Sequence, residues 1–209
     1  YKKFTNKPYS GSVEGKDESL LSVKGTYRNG KRDGLWEAYW VNGQLRYIRT
    51  YKNGVSVGVR ESYYKNGKLW MKGTYKNGKE EGLWEWYHKN GQLSAKGTYK
   101  DGKYDGVRVS YNENGSLSSK TTYKDGERDG VSELYHENGS LSSKTTYKDG
   151  GKEGVEEFYH ENGHLHWKGT WKNGKLEGVW KSYDENGSLS SKETYKDGKK
   201  EGVEERYYQ

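Results

Sequence analysis

GTYKNGKEEGLWEWYHKNGQLSAK, Gly73 to Lys96, carries the pattern that decides the fold. Two alternating segments, LWEWYH (Leu83 to His88) and QLSAKGTY (Gln92 to Tyr99), are set off by Asn-Gly pairs, which favour the positive φ of tight turns. Alternation with period two, punctuated in this way, is the signature of a β-hairpin. Lys89-Asn90-Gly91 fits a three-residue turn with glycine in the left-handed position, and Asn77-Gly78 to Gly82 predicts a longer second connection.

The stretch recurs along the chain. Tyr27, Tyr51, Tyr75, Tyr99, Tyr123, Tyr147, Trp171 and Tyr195 fall every 24 residues, and Gly34 through Gly202 keep the same step, each followed by Leu or Val. A period this regular marks a stacked array of one supersecondary unit. Counted from Gly25, residues 25–209 comprise seven full repeats and a partial C-terminal one. Residues 1–24 read as a degenerate repeat with the only proline, Pro8, and are expected to cap the array. The expected fold is all-β: an elongated, solenoid-like, single-layer antiparallel meander of tandem 24-residue β-hairpin repeats. At about 4.8 Å per strand it would extend on the order of 80 Å.

Composition sets the same limits. Of 209 residues, 32% are charged and 29% hydrophobic, too few apolar residues for a deep core, yet aromatics reach 15%. A thin layer of stacked tyrosines suits that balance, because each ring can pack while its hydroxyl stays wet. The net charge of +7 is interspersed, unlike the dense basic stripe of a nucleic-acid reader, so no nucleic acid is expected as partner. No cysteine is present, and no run of 18 apolar residues. The chain begins at Tyr1, so export with an upstream segment removed is one expectation, beside a cytoplasmic location.

If residues whose numbers sum to 180 pair across the hairpin, Tyr87 faces Leu93, Trp86 faces Ser94 and Trp84 faces Lys96. Odd positions, Leu83, Tyr87, Leu93 and Tyr99, then form the packed side. The even column Trp36, Arg60, Trp84, Arg108, Ser132, Glu156, Trp180, Glu204 varies from repeat to repeat, so specificity is expected on that face. Its candidate binding residues are Trp36, Trp40, Tyr64, Trp70, Trp84 and Trp86. The competing expectation is local covering of the indoles, of Trp84 by Lys96, Trp180 by Lys192 and Trp36 by Ile48.

Other regular features lead to weaker chemistry. The column Lys72, Lys96, Lys120, Lys144, Lys168, Lys192 could meet phosphates or acidic lipids, or pair across strands, as Glu156 with Lys168. His160, with His164 expected opposite it, and His166 surround one turn, but no further ligand completes a tetrahedral site, so no metal is expected. Glu37, Glu61, Glu85, Glu133, Glu157 and Glu205 repeat as identical rungs, unlike the paired, differently placed carboxylates of a glycosidase. Asp125 to Gly130, DGERDG, lacks the third-position carboxylate of a calcium loop. No nucleophile-base set, phosphate loop or dinucleotide fingerprint occurs, so neither catalysis nor a cofactor is expected.

The unit Gly73 to Lys96 resembles the MORN repeat, in particular the bacterial variant with the rhythm YxNGxxxGxWxxYxxNGxL, over nearly the whole chain from about Gly11. The resemblance implies a sheet of hairpins without catalysis, used as a scaffold for proteins and in some members to contact acidic phospholipids. Bacterial proteins of this pattern include YwqK-type antitoxins, which implies binding a partner protein. Half of the repeats lack the tryptophan of the family's commonest form. The expected function is a monomeric, non-enzymatic scaffold for protein-protein interaction, antitoxin- or immunity-like. The alternatives are a cell-wall glycan-binding module and an acidic-phospholipid binder at a membrane surface.

Overall fold

A computed structural model of the chain describes residues 8–17 and 20–208. They fall into two compact units, Tyr1–Lys103 and Tyr104–Gln209. The first contains β1 (Gly11–Asp17), β2 (Leu20–Arg28), β3 (Lys31–Trp40), β4 (Leu45–Lys52), β5 (Val55–Tyr63), β6 (Leu69–Lys76), β7 (Lys79–Tyr87) and β8 (Leu93–Lys100). The short β9 (Lys103–Tyr104) falls where the two ranges meet. The second contains β10 (Gly106–Tyr111), β11 (Leu117–Lys124), β12 (Glu127–Tyr135), β13 (Leu141–Lys148), β14 (Gly151–Tyr159), β15 (Leu165–Lys172), β16 (Lys175–Tyr183), β17 (Leu189–Lys196) and β18 (Lys199–Arg206). Within each unit every strand pairs antiparallel with the next, from β1 to β8 and from β10 to β18. Each unit is therefore an antiparallel meander of consecutive hairpins, and no helix occurs among the described residues. In the segment expected to cap the array, β1 pairs with β2 (Val13 opposite Gly25); residues 1–7, 18 and 19 lie outside the described residues.

Turn chemistry sets the hairpins. At Asn77-Gly78 both residues have positive φ, 51° and 83°, and Lys76 pairs with Lys79, so the connection expected to run on to Gly82 is instead a two-residue turn. Gly82, at φ 72°, lies inside β7 and belongs to a bulge: Lys72 pairs with Glu85 and Thr74 with Glu81, which leaves residues 82–84 against the single residue Gly73. The other loop is the expected one, with Gly91 at φ 94° and its N–H donating to the His88 carbonyl at 2.9 Å.

Neighbouring repeats are tied at both hairpin ends. At the short turns, the Gly78 N–H donates to the Ser56 carbonyl (2.9 Å) and the Gly102 N–H to that of Glu80 (2.9 Å). A carboxylate from the preceding repeat accepts the adjoining N–H: Asp33 from Asn53 at 3.2 Å, Glu81 from Asp101 at 3.1 Å, Glu153 from Asn173 at 2.7 Å. In the loop that resembled a calcium site, Asp129 does this for Asp149. At the opposite ends, Asn66 Nδ2 donates to the Lys89 carbonyl (3.1 Å) and Asn138 Nδ2 to that of Glu161 (3.0 Å).

The sum-to-180 register holds at Tyr87 and Leu93 and fails beyond them. A bulge leaves Trp86 opposite Ala95, Glu85 opposite Lys96 and Trp84 opposite Gly97. Because side chains alternate with period two, a one-residue slip moves the set to the other face. The packed side therefore carries Trp84, Trp86, Ala95 and Tyr99 together with Met71 and Tyr75, whereas Leu83, expected in the core, is 52% exposed. The column of Tyr51, Tyr75 and Tyr99 packs as expected, with Tyr51 and Tyr75 buried, but Tyr87 and Leu93, expected beside it, lie beyond the bulge on the opposite face, where the Tyr87 hydroxyl donates to Glu85.

Candidate binding groove

Trp36 and Trp84, expected on a variable binding face, are each 2% exposed. Each indole lies across a glycine of the preceding strand: a Cβ at Gly25 would come 2.2 Å from Cδ2 of Trp36, and one at Gly73 would come 2.1 Å from Cδ2 of Trp84. Trp180 covers Gly169 in the same way. The expected covers are displaced with the register, since Arg49 rather than Ile48 is opposite Trp36, and Glu193 rather than Lys192 is opposite Trp180. Trp86 is half-buried at 6.3 Å from the Tyr99 ring. In most repeats the residue in this column complements the one eleven positions earlier. Thr121 hydrogen-bonds Ser132 at 2.9 Å, and Thr145 donates to Glu156 at 2.9 Å. Glu156, 2% exposed, also accepts two bonds from Lys152 (2.7 and 3.0 Å) and one from Trp171 Nε1 (2.6 Å); it pairs with Gly169, not Lys168.

The other three candidates come together. Trp40, Tyr64 and Trp70 line one groove of about 600 Å³ in the first unit, with Arg46, Tyr47, Arg60, Ser62, Tyr63, Lys65, Asn66 and Lys89. The space follows from the sequence at one rung. Ser62, 4% exposed, sits between Tyr47 and Met71, at the position that Trp86 fills one repeat later. Large side chains at the loop end then wall the gap. Trp40 Nε1 donates to the Tyr63 carbonyl (3.1 Å) and the Tyr64 hydroxyl to the Tyr87 carbonyl (2.7 Å), which fixes both rings. The Trp70 ring stands 6.4 Å from Tyr64 at 53° and is 43% exposed.

The charge in the groove is one-signed. The Arg46 guanidinium stands 4.5 Å over the Trp40 ring, with Lys65 at 5.5 Å. Arg60 donates to the Tyr75 hydroxyl (3.3 Å), which donates to Glu80 (2.9 Å). Arg46, Ser62 and Lys89 were not among the expected site residues. The available signal was Arg46 itself, where four other repeats carry serine at Ser94, Ser118, Ser142 and Ser190.

The lysine column lies on the face opposite the tryptophans, against the glutamates. Lys72, Glu85 and Lys96 are successive rungs, with a Lys72–Glu85 ion pair at 2.8 Å whose hydrogen bond holds the Glu85 carboxyl below its usual range. In the second unit Lys120, Glu133, Lys144, Glu157 and Lys168 alternate likewise, and then Lys181 and Lys192 follow, so that three lysines are adjacent. The glutamates accept from the tyrosine two residues on: Tyr39 to Glu37 at 2.8 Å, Tyr87 to Glu85 at 3.2 Å, Tyr159 to Glu157 at 2.9 Å. Burial first, then these hydrogen bonds, push the hydroxyls of Tyr63 and Tyr159 up to about 12. His160 sits opposite His164, its N–H donating to the His164 carbonyl at 2.9 Å, while its ring lies 4.3 Å from that of His166 at 33° and its Nε2 bonds the Tyr183 carbonyl. Burial and then His160 lower the His166 pKa. No metal-binding cluster occurs among the described residues.

Seven segments, residues 32–53, 56–77, 80–101, 104–125, 128–149, 152–173 and 176–197, match the family described as MORN repeat variant. No curated protein matches the chain.

Proposed function

Since the chain belongs to the MORN repeat variant family, whose repeats are in general protein- or membrane-binding modules, we propose that it is a non-enzymatic scaffold that binds a partner protein through the Trp40–Tyr64–Trp70 groove. The observation that carries the reading is the gap above Ser62, walled by rings held in place by their own hydrogen bonds, with Trp70 43% exposed. Rigid aromatic side chains around a concave patch are the usual anchors of protein recognition. An antitoxin-like neutraliser would use the same groove to hold its target.

The test places a photo-crosslinking amino acid at position 89, which lines the groove and leaves its three rings in place, and, as control, at exposed Val131. A single protein captured from position 89 and not from 131 supports the reading. The same proteins from both positions, or none from position 89, sinks it.

One observation favours a second reading, contact with acidic phospholipid: the adjacent rungs Lys168, Lys181 and Lys192, each half-buried, concentrate positive charge on one face, bounded by Glu205 at 3.6 Å from Lys192.

A further inference from the structure

We infer that the groove selects an acidic peptide segment carrying an apolar side chain; this rests on the protein-binding reading above and specifies its partner. Four cations, Arg46, Arg60, Lys65 and Lys89, reach the groove, and no carboxylate is among the described residues that line it. Such a one-signed cleft raises the local concentration of anions and rejects cations.

Behind Arg60 the imbalance deepens. Arg49 is its direct cross-strand partner, with Nε buried and without a hydrogen-bond partner, and its guanidinium is 4.7 Å from the Tyr75 ring and 5.2 Å from that of Tyr51. At most other repeats this rung carries complementary residues, as Gly73 under Trp84 or Thr121 with Ser132, and where two glutamates meet, Glu193 and Glu204, Lys200 pairs with both. Two arginines facing each other break that rule beside the groove. Local conflicts with the rest of a fold are characteristic of functional sites.

The walls choose the kind of anion. Tyr64 and Trp70 are inclined at 53°, a wedge that suits a branched or aromatic side chain and not the parallel slot that holds a base. The Trp40 face is already taken by Arg46 and Lys65. The rest of the lining offers cations, Arg46, Arg60 and Lys89, so a ligand with an apolar group in the wedge must carry anionic groups beside it. A peptide satisfies both demands, with an apolar side chain in the wedge and flanking carboxylates on Arg46 and Arg60, whose forked donors match them.

The test uses the full chain against immobilised short peptides in three matched sets, a central Leu-Phe pair flanked by Glu, Gln or Lys. The Glu set is expected to be retained about tenfold more strongly than the Gln set, the factor that one good charge-assisted contact supplies, with the Lys set weakest. Arg46→Gln, Arg60→Gln and Lys89→Gln each narrow the preference. Arg60 also bonds Tyr75, so its variant is checked for folding, and the other two keep the test decisive if it unfolds. Trp70→Ala abolishes retention of every set. Equal retention of the Glu and Gln sets, lost in Trp70→Ala, overturns the charge selectivity and leaves the groove as a protein-binding site. Retention unchanged in Trp70→Ala overturns both. Binding of phosphatidylserine vesicles or a single-stranded oligonucleotide at the groove, with no peptide set retained, overturns the inference in favour of that ligand.

Discussion

The Trp84 indole lies flat across the backbone of Gly73, leaving no room for a methyl group between them. The glycine is required by space: it is not among the residues with positive φ. Gly73→Ala should therefore destabilise the first unit by about 1–3 kcal/mol through overpacking. Trp84→Ala should cost about 3–5 kcal/mol as a buried large-to-small change. Both are read by denaturant unfolding. A Gly73→Ala protein as stable as the wild type would show that the contact is slack.

Ser62→Trp copies into the groove the side chain that its own column carries at Trp86. The fold should persist, with stability raised by about 0.5–2 kcal/mol, as is common for cavity filling. Crosslinking from position 89 should vanish. Undiminished capture would place the partner elsewhere.

Glu156 is buried against Lys152, Thr145 and Trp171. Lys152→Met removes the cation and leaves the carboxylate buried, which should cost about 3–5 kcal/mol. Pairing it with Glu156→Gln should recover a large part of that loss, measured as a double-mutant cycle by thermal unfolding. Additive losses would mean that the two residues act independently.

The hydroxyls of Tyr63 and Tyr159 ionise at about 12, above the ordinary 10.0. A pKa raised in the folded state contributes stability that is fully present below 10 and is lost as pH rises through 12. Phenolate absorbance should thus show a late-titrating fraction, which Tyr63→Phe and Tyr159→Phe each reduce. Their titration with the other tyrosines would remove this source of alkaline destabilisation.

Binding to phosphatidylserine vesicles through Lys168, Lys181 and Lys192 should weaken as salt rises and fall further in Lys181→Glu, which restores the alternating charges. Salt-independent binding would exclude the lysine run as its cause. In solution the protein should scatter light as a monomer at all concentrations, and a concentration-dependent dimer would contradict that expectation.

The repeat, its hairpins and the positive-φ turns were legible in the sequence because Asn-Gly and Asp-Gly pairs recur with a fixed step and each acts locally. The faces were not. Parity carried the assignment only to the bulge between Trp86 and Tyr87, and one unpaired residue there exchanged Trp84 and Leu83 between the faces while the lysines stayed on the outer one. Trp84 was misassigned for a further reason: its column varies, and the residue that answers the variation, Gly73, lies eleven positions earlier on another strand. Gly25 with Trp36 and Gly169 with Trp180 repeat that spacing, so the signal was present as a pair and absent from either column alone. Three groove residues were legible because large aromatics at even positions stand out in so polar a chain. Ser62 was missed because a cavity is made by what a small residue leaves unfilled.

The carboxylates that secure the short turns all lie upstream of the backbone they hold, Asp33 for Asn53, Glu81 for Asp101, Glu177 for Asp197. At Asn29 the same duty falls to the Ser10 hydroxyl, at 2.8 Å, in the segment before the first full repeat. During synthesis, each of these turns thus emerges from the ribosome after the group that will fasten it. The array can close hairpin by hairpin in the order in which it is made, with the N-terminal segment as the first template.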